Sequence, residues 1–341
     1  MSSSESRPPS PTRIACLPGD CIGPEVMAVA QRVLREVTPE LQLEDHPFGA
    51  AAIRATGDPL PAETLEACRS AAAVLKAPIG DPEFDAADVR PEQGMLQLRA
   101  ELDVYTNLRP AKHGLVDLLI VRELVGGLYF GARGVRDDGT VFDTCEYHPT
   151  QVERIARRAF ELARGRGRRL VSVDKANVLD TSRLWRRVVR EVAADYPDVE
   201  VEDMLVDNAA MQLASAPEQF DVIVTENMFG DILSDLAAAM AGGIGLAPSA
   251  SLGDLGPGVF EPVHGSAPDI AGRGVANPAA MLRSTALMFE HGLGRPAEAK
   301  ALEDAVDVAL HETPTPDLGG RSTTVEFADA VVAALANRRP M

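Results

Sequence analysis

Two aspartates four residues apart, Asp231 and Asp235, interrupt the otherwise apolar run VTENMFGDILSDLA (224–237). At that spacing they share one face of a helix. A third, Asp207, follows the β-rich run VEVEDMLV, so three carboxylates fall at two strand-to-helix junctions. A hard divalent cation, Mg2+ or Mn2+, takes oxygen ligands and often only a few carboxylates, with water and substrate completing the shell. The competing account is acids in the first turn of a helix, favoured by the macrodipole. It covers Asp207 and Asp231 well, and Asp235 poorly, since that residue lies a full turn further in beside Ile232, Leu233 and Leu236. Spacing alone leaves both accounts open.

Arginines supply the complementary signal. Arg99, Arg109 and Arg122 each occur in an apolar setting, in LQLRAELDVYTNLRP and LLIVREL. A semi-buried guanidinium needs a carboxylate or phosphate to pair with. Any one of them is accounted for by an internal acid such as Glu101, Asp103 or Glu123; three beside a metal would make a site for a substrate with more than one carboxylate.

These residues need a scaffold, and the sequence describes one. Short β-rich runs (RIACL, AAAVLKA, LLIVREL, RLVSVDK, VEVEDMLV, DVIVT) alternate with segments of helical period such as PEVMAVAQRVLREV, PTQVERIARRAFELAR, TSRLWRRVVREVAADYP and DNAAMQLAS, followed by NPAAMLRSTALMFEHGLG and AEAKALEDAVDVALHE. That alternation predicts an α/β fold with a mostly parallel sheet flanked by helices. In such sheets ligands bind at the carboxyl ends of the strands, which is where the three aspartates fall. No internal repeat or linker separates tandem domains, so a second domain must arise by the chain crossing over and back.

Composition limits the alternatives. A chain of 341 residues, 45% hydrophobic, buries a sizeable core. A net charge of −18 repels nucleic-acid backbones and anionic membranes and leaves small acidic substrates as partners only where positive charge is concentrated. The basic stretch RGRGRR (164–169) has no aromatic residues between its arginines and reads as a solvated helix end. Cys16, Cys21, Cys68 and Cys145 form no C-x-x-C pair, which fits reduced thiols in a cytoplasmic protein. The Ser/Pro-rich residues 1–12 read as a disordered tail. The uncharged stretch 236–253 is long enough for a membrane span, but its glycines and its proline predict a turn-rich connection.

Taken in order, GDCIGPEV, RPEQGMLQLR, NLRPAK, VRELVGGLYFG, SVDKANVLD, NMFGDILSDL, EPVHGSAPDIAG and GVANP resemble the metal-dependent β-decarboxylating dehydrogenases of the isocitrate/isopropylmalate type, from about Ile14 onward. The resemblance implies a two-domain fold without the usual dinucleotide fingerprint, and no G-x-G-x-x-G follows a strand here. Residues 13–104 with 243–341 would form the cofactor-binding domain, and 105–242 the metal, substrate and dimerisation domain, with a β arm near 126–148 joining a homodimer. Asp231 and Asp235 of one subunit and Asp207 of the other would hold Mg2+ or Mn2+. Arg99, Arg109 and Arg122 would clamp the carboxylate that leaves as CO2. Tyr129 and the other subunit's Lys175 would manage protons.

NAD would lie against Ile22, Glu261, His264, Gly265, Ser266, Ala267, Asp269, Ile270 and Asn277. A carboxylate at Asp269 accepts hydrogen bonds from a ribose diol and repels a 2'-phosphate, which favours NAD over NADP. Glu92, Met95, Leu96 and Val178 would face the C3 substituent, giving oxidative decarboxylation of 3-isopropylmalate as in leucine biosynthesis. Another 3-substituted malate (isocitrate, homoisocitrate, D-malate, tartrate or a specialised analogue) is the alternative, and an inactive binding homologue the remote one. Three departures bear on this choice: Cys21 where the pattern has glycine, LKAPIG in place of a glycine-richer segment, and a shortened connection over 110–118. That connection is expected near the pocket, where trimming would alter the substrate.

Overall fold

The computed structural model describes residues 12–337; the expected N-terminal tail, apart from Thr12, lies outside them. Ten strands form one sheet in the order β2 (Gln42–Asp45), β1 (Arg13–Leu17), β3 (Ala73–Lys76), β12 (Gly258–Pro262), β11 (Pro248–Leu252), β4 (Thr106–His113), β5 (Val116–Glu123), β10 (Val222–Thr225), β8 (Arg169–Asp174) and β9 (Glu200–Leu205). The two flanks are parallel, and the central pairings β12–β11, β11–β4 and β4–β5 are antiparallel. A separate hairpin pairs β6 (Arg133–Val135) with β7 (Val141–Asp143), inside the expected arm.

The helices are α1 (Gly23–Val37), α2 (Ala50–Thr56), α3 (Ala62–Ser70), α4 (Pro91–Glu101), α5 (Pro149–Arg164), α6 (Asp180–Ala193), α7 (Val206–Ser215), α8 (Asn227–Met240), α9 (Ala279–Leu287), α10 (Pro296–Glu312) and α11 (Thr324–Ala336). The mostly parallel, helix-flanked sheet is as expected. Strands β1, β3, β5, β8, β9 and β10 occur at the six expected runs. Strand β10 is buried on both sides, which explains why VIVT carries no polar alternation.

One segment differs. Residues 236–253 are not merely a connection: α8 extends to Met240, and β11 is a fully buried strand at the sheet centre. Small side chains in PSASL let it fit between β4 and β12, where Asn107 Nδ2 donates to Ser249 Oγ (2.8 Å) and Ser251 Oγ (3.0 Å). No helix among the described residues is long and apolar enough to cross a membrane.

Candidate active site

A cleft of about 540 Å³ opens beside the carboxyl end of β5 and collects side chains from both sides of the sheet centre. Helix α4 contributes Glu92, Met95, Leu96 and Arg99, spaced i, i+3, i+4, i+7 and therefore on one face. Arg109 comes from β4, Arg122 from β5, Tyr129 from the short turn Gly127–Tyr129, Asp231 from α8, and Glu261, His264 and Gly265 from the end of β12 and its following loop.

Arg122 is the most deeply placed of the three arginines, its side chain 1% exposed. Its Nε and Nη2 donate to Asn227 Oδ1 at 3.0 and 2.7 Å, and its Nη1 pairs with Asp231. Asn227 is fixed in turn by donating to the carbonyls of Leu124 and Gly126. The stem passes beneath α8 only because residue 230 is glycine: a Cβ there would sit 2.6 Å from Arg122 Cγ. Arg109 donates to Asn107 Oδ1 (2.9 Å) and lies 3.9 Å from Asp231 and 3.6 Å from Asp235. Arg99 reaches Glu261 at 3.2 Å, while its buried Nε has no hydrogen-bond partner among the described residues. Burial pulls Arg122 down to about 10, helped by the neighbouring Arg109 charge and opposed by Asp231. Burial likewise lowers Arg109.

The two α8 aspartates are set apart electrostatically. Burial would raise Asp231, but Arg122 and Arg109 outweigh it and hold the carboxyl below its usual range. Asp235 is raised, first by burial and then by the Asp231 charge, against the pull of Arg109. Two carboxylates in this relation favour a cation between them. Tyr129 Oη donates to Asp231 Oδ2 at 2.9 Å, and burial followed by the Asp231 charge raises the phenol.

Asp207, Asp235, Lys175 and Val178 do not line this cleft, nor do Ile22, Ser266, Ala267, Asp269, Ile270 and Asn277 of the expected cofactor set. Asp207 lies in the first turn of α7, where Lys175 Nζ donates to its Oδ1 at 2.5 Å and lowers its pKa, and Val178 is 61% exposed. Among the described residues no three His, Cys, Asp or Glu side chains converge as a metal site. One chain therefore brings together two of the three expected metal ligands.

On the cofactor side, Ile22 N–H donates to the Ser266 carbonyl at 3.0 Å, joining GDCIGPEV to the 264–267 loop. His264 Nδ1 contacts the Gly265 carbonyl, and its buried Nε2 has no partner among the described residues. Burial holds this imidazole below its ordinary pKa. Ala267 takes a left-handed backbone (φ 43°), Asp269 is exposed and Ile270 half-buried. Asn277 is partly committed: its Nδ2 donates to Asp317 Oδ2 and its Oδ1 accepts from Ala279 N–H at the start of α9. Cys21 occupies a left-handed position (φ 54°), the reason glycine suits it, and the loop accommodates the side chain with Sγ 3.6 Å from the Gly80 carbonyl.

Sequence reasoning missed Lys76, Ile79, Leu128, Arg133, Asp143 and Val263, all in the cleft wall. Lys76 was detectable: it ends the apolar strand β3, and it is 3% exposed, held by Glu261 at 2.8 Å. Burial would raise Glu261, but Lys76 and Arg99 pull it down to about 2. The shortened connection does not border the cleft. It is the tight turn at Gly114–Leu115, about 20 Å along β5 from Arg122 at 3.4 Å per residue.

Most of the chain has relatives. Residues 13–331 match the isocitrate/isopropylmalate dehydrogenase family. A 3-isopropylmalate dehydrogenase of Zymomonas mobilis is 52% identical, over 95% of this chain and 99% of that one, and one of Bacillus cereus is 48% identical, over 94% and 96%. The crystal structure of isocitrate dehydrogenase from Methylococcus capsulatus superposes with a TM-score of 0.88 at 38% identity, covering 95% of this chain and 99% of that one. A β-decarboxylating dehydrogenase of Thermococcus kodakarensis gives 0.81 at 40% identity, covering 95% and 96%.

Proposed function

The chain belongs to the isocitrate/isopropylmalate dehydrogenase family, and we propose that it oxidatively decarboxylates 3-isopropylmalate with NAD and Mg2+ or Mn2+, in leucine biosynthesis. One observation carries the choice of substrate. The arginine cluster stands next to an apolar wall of Met95, Leu96 and Leu128, so an anionic head and an alkyl substituent can be held in one cleft. Burying an isopropyl group there contributes about 2 kcal/mol, at ~0.8 kcal/mol per methylene-sized group.

Arg99, Arg109 and Arg122 bind the carboxylate that is lost, and the unpartnered Nε of Arg99 supports that role. Asp231 and Asp235, with Asp207 of a second copy, hold the cation, and the raised Asp235 carboxyl beside ionised Asp231 fits such a ligand set. When bound, the metal supplies Lewis-acid polarisation at the C2 oxygen and NAD the hydride acceptor. Lys175 of the second copy takes the C2 hydroxyl proton. Tyr129 delivers a proton to C3 after CO2 departs. The orphaned His264 Nε2 supports a polar ligand at the cofactor wall.

The second copy is itself part of the proposal. Met211 on α7 and Ile232 on α8 are each 60% exposed, and Val135 and Val141 on the hairpin still more so, an apolar surface suited to a homodimer. In this reading residues 13–104 with 243–341 carry the cofactor, 105–242 carry substrate, metal and dimer surfaces, and the cleft draws on both. The four cysteines are free thiols, as a reducing cytoplasm requires.

A second reading, an isocitrate-type substrate, is favoured by the buried cation of Lys76. Glu261 cancels that charge, which leaves little to recruit a third carboxylate. The experiment is NADH formation with Mg2+ on 3-isopropylmalate, isocitrate, homoisocitrate, D-malate and tartrate, with Asp231→Asn as control. Highest kcat/KM on 3-isopropylmalate, lost in the variant, is expected; preference for isocitrate overturns the substrate and keeps the chemistry.

A further inference from the structure

One buried carboxylate of GDCIGPEV neither lines the cleft nor forms an ion pair among the described residues. Asp20 is 4% exposed, and its hydrogen-bond partners are three backbone N–H groups: Ala50 (3.1 Å) and Gly80 (2.9 Å) on Oδ2, and Ala51 (3.2 Å) on Oδ1. Its own N–H donates to the Pro78 carbonyl at 2.9 Å. Three segments distant in sequence thus meet at one side chain. Glycines make the approach possible, since a Cβ on Gly49 would lie 2.6 Å from Asp20 Oδ2 and one on Gly19 2.1 Å from the Pro78 carbonyl oxygen.

What Asp20 holds is the back of the cleft wall. Pro78 and Ile79 line the cleft, and Gly80 faces Glu92 and Ser266, whose polar atoms would lie 3.4 and 3.6 Å from a Cβ placed there. The same motif grips the opposite loop through Ile22 N–H and the Ser266 carbonyl. We propose that Asp20 is a positioning residue for the dinucleotide: through Gly80 it sets the spacing between the 78–80 loop and the 264–267 loop, so cofactor affinity depends on it and the chemical step does not. This rests on reading that wall as the NAD site. A carboxylate accepts at both oxygens, whereas the isosteric amide turns an N–H donor toward donors and breaks the set.

The test uses the full chain with Asp20→Asn and Gly80→Ala, the latter disturbing the loop at a left-handed position (φ 117°) while keeping the carboxylate itself, and Asp221→Asn as a control for lost stability at the far end of the sheet. NADH binding is followed by fluorescence titration and turnover by steady-state kinetics. The dissociation constant for NADH and KM for NAD are expected to rise about tenfold or more in both loop variants. KM for the malate substrate and kcat should stay within about threefold, a split that loss of stability alone does not produce. Asp20→Asn that binds NADH like the wild type, or that raises KM for the malate substrate and lowers kcat as much as it weakens NADH binding, overturns the inference alone. Wild-type protein that fails to bind NADH overturns the reading of the wall together with it.

Discussion

The two ends of the central sheet treat the same residue type in opposite ways. At the end where β4 and β5 turn, Arg166 donates to Asp117 Oδ1 (2.7 Å) and Asp221 Oδ1 (2.9 Å), and Asp221 also accepts from Arg169 N–H. Burial works against the Arg166 cation, but the two carboxylates outweigh it and its pKa is raised. At the other end Arg122 shares its one carboxylate, Asp231, with Arg109 and Tyr129, and its pKa falls. The cleft lining sets Lys76, Arg99, Arg109, Arg122 and Arg133 against Glu92, Asp143, Asp231 and Glu261, one cation in excess in a protein of net charge −18. Charge is matched where the sheet only needs closing and left with a cation in excess where an anionic ligand would complete it.

Arg122→Lys breaks that contrast most severely. Lysine keeps the charge and loses the planar fork that meets Asn227 and Asp231 together and that, in the proposed function, also holds a substrate carboxylate. Losing two charge-assisted hydrogen bonds at about 1.5–3 kcal/mol each predicts a fall in kcat/KM on the order of a thousandfold. Steady-state kinetics on the malate substrate decides it; a fall below tenfold would make Arg122 a structural member like Arg166.

Asp221→Asn attacks the matched end, and a smaller effect of another kind is expected. The residue is 6% exposed, so halving its acceptor capacity costs about 1–3 kcal/mol, or several degrees in melting temperature for a chain of this size. Thermal melting should show that loss while kcat and both KM values stay within about twofold. Kinetic damage comparable to the Arg122 variant would mean the two ends are coupled and the contrast is false.

How much of this was legible follows the same division. Asp231, Asp235 and the α4 set Glu92, Met95, Leu96 and Arg99 were readable because helical spacing alone fixes their common face. Strand β11 was not, because PSASL is small, carries no alternation and follows a glycine-rich segment, so only its neighbours in the sheet make it a strand. Helix α11 carried a readable start, the reciprocal cap between Thr323 and Glu326, which was overlooked. The shortened connection was detected, but its end of the sheet depends on strand direction, which an apolar pattern does not give. Asp207 illustrates the deepest gap: its distance from Asp231 within one chain has meaning only if a second copy supplies the missing ligand.

Unmatched charge at the site end is not reserved for ligands, and Glu226 gives the finest test of where the contrast stops. It follows β10 and is 4% exposed, it does not line the cleft, and its buried Oε2 has no hydrogen-bond partner among the described residues. Burial first, then the Asp174 and Glu123 charges, push its carboxyl up to about 7. A carboxylic acid with a folded pKa above its unfolded value binds its proton more tightly in the fold. Stability is therefore undiminished below the unfolded pKa of about 4.3 and is lost progressively as pH rises through about 7. Glu226→Gln cannot ionise and escapes that loss. Denaturant unfolding at two pH values should show the variant gaining on the wild type by on the order of 1 kcal/mol between about pH 5 and pH 8, with kcat/KM unchanged. A gain with normal kinetics makes Glu226 a cost of assembling this end of the sheet. A constant stability difference, or a kinetic defect, moves it into the group of charges that the cleft uses.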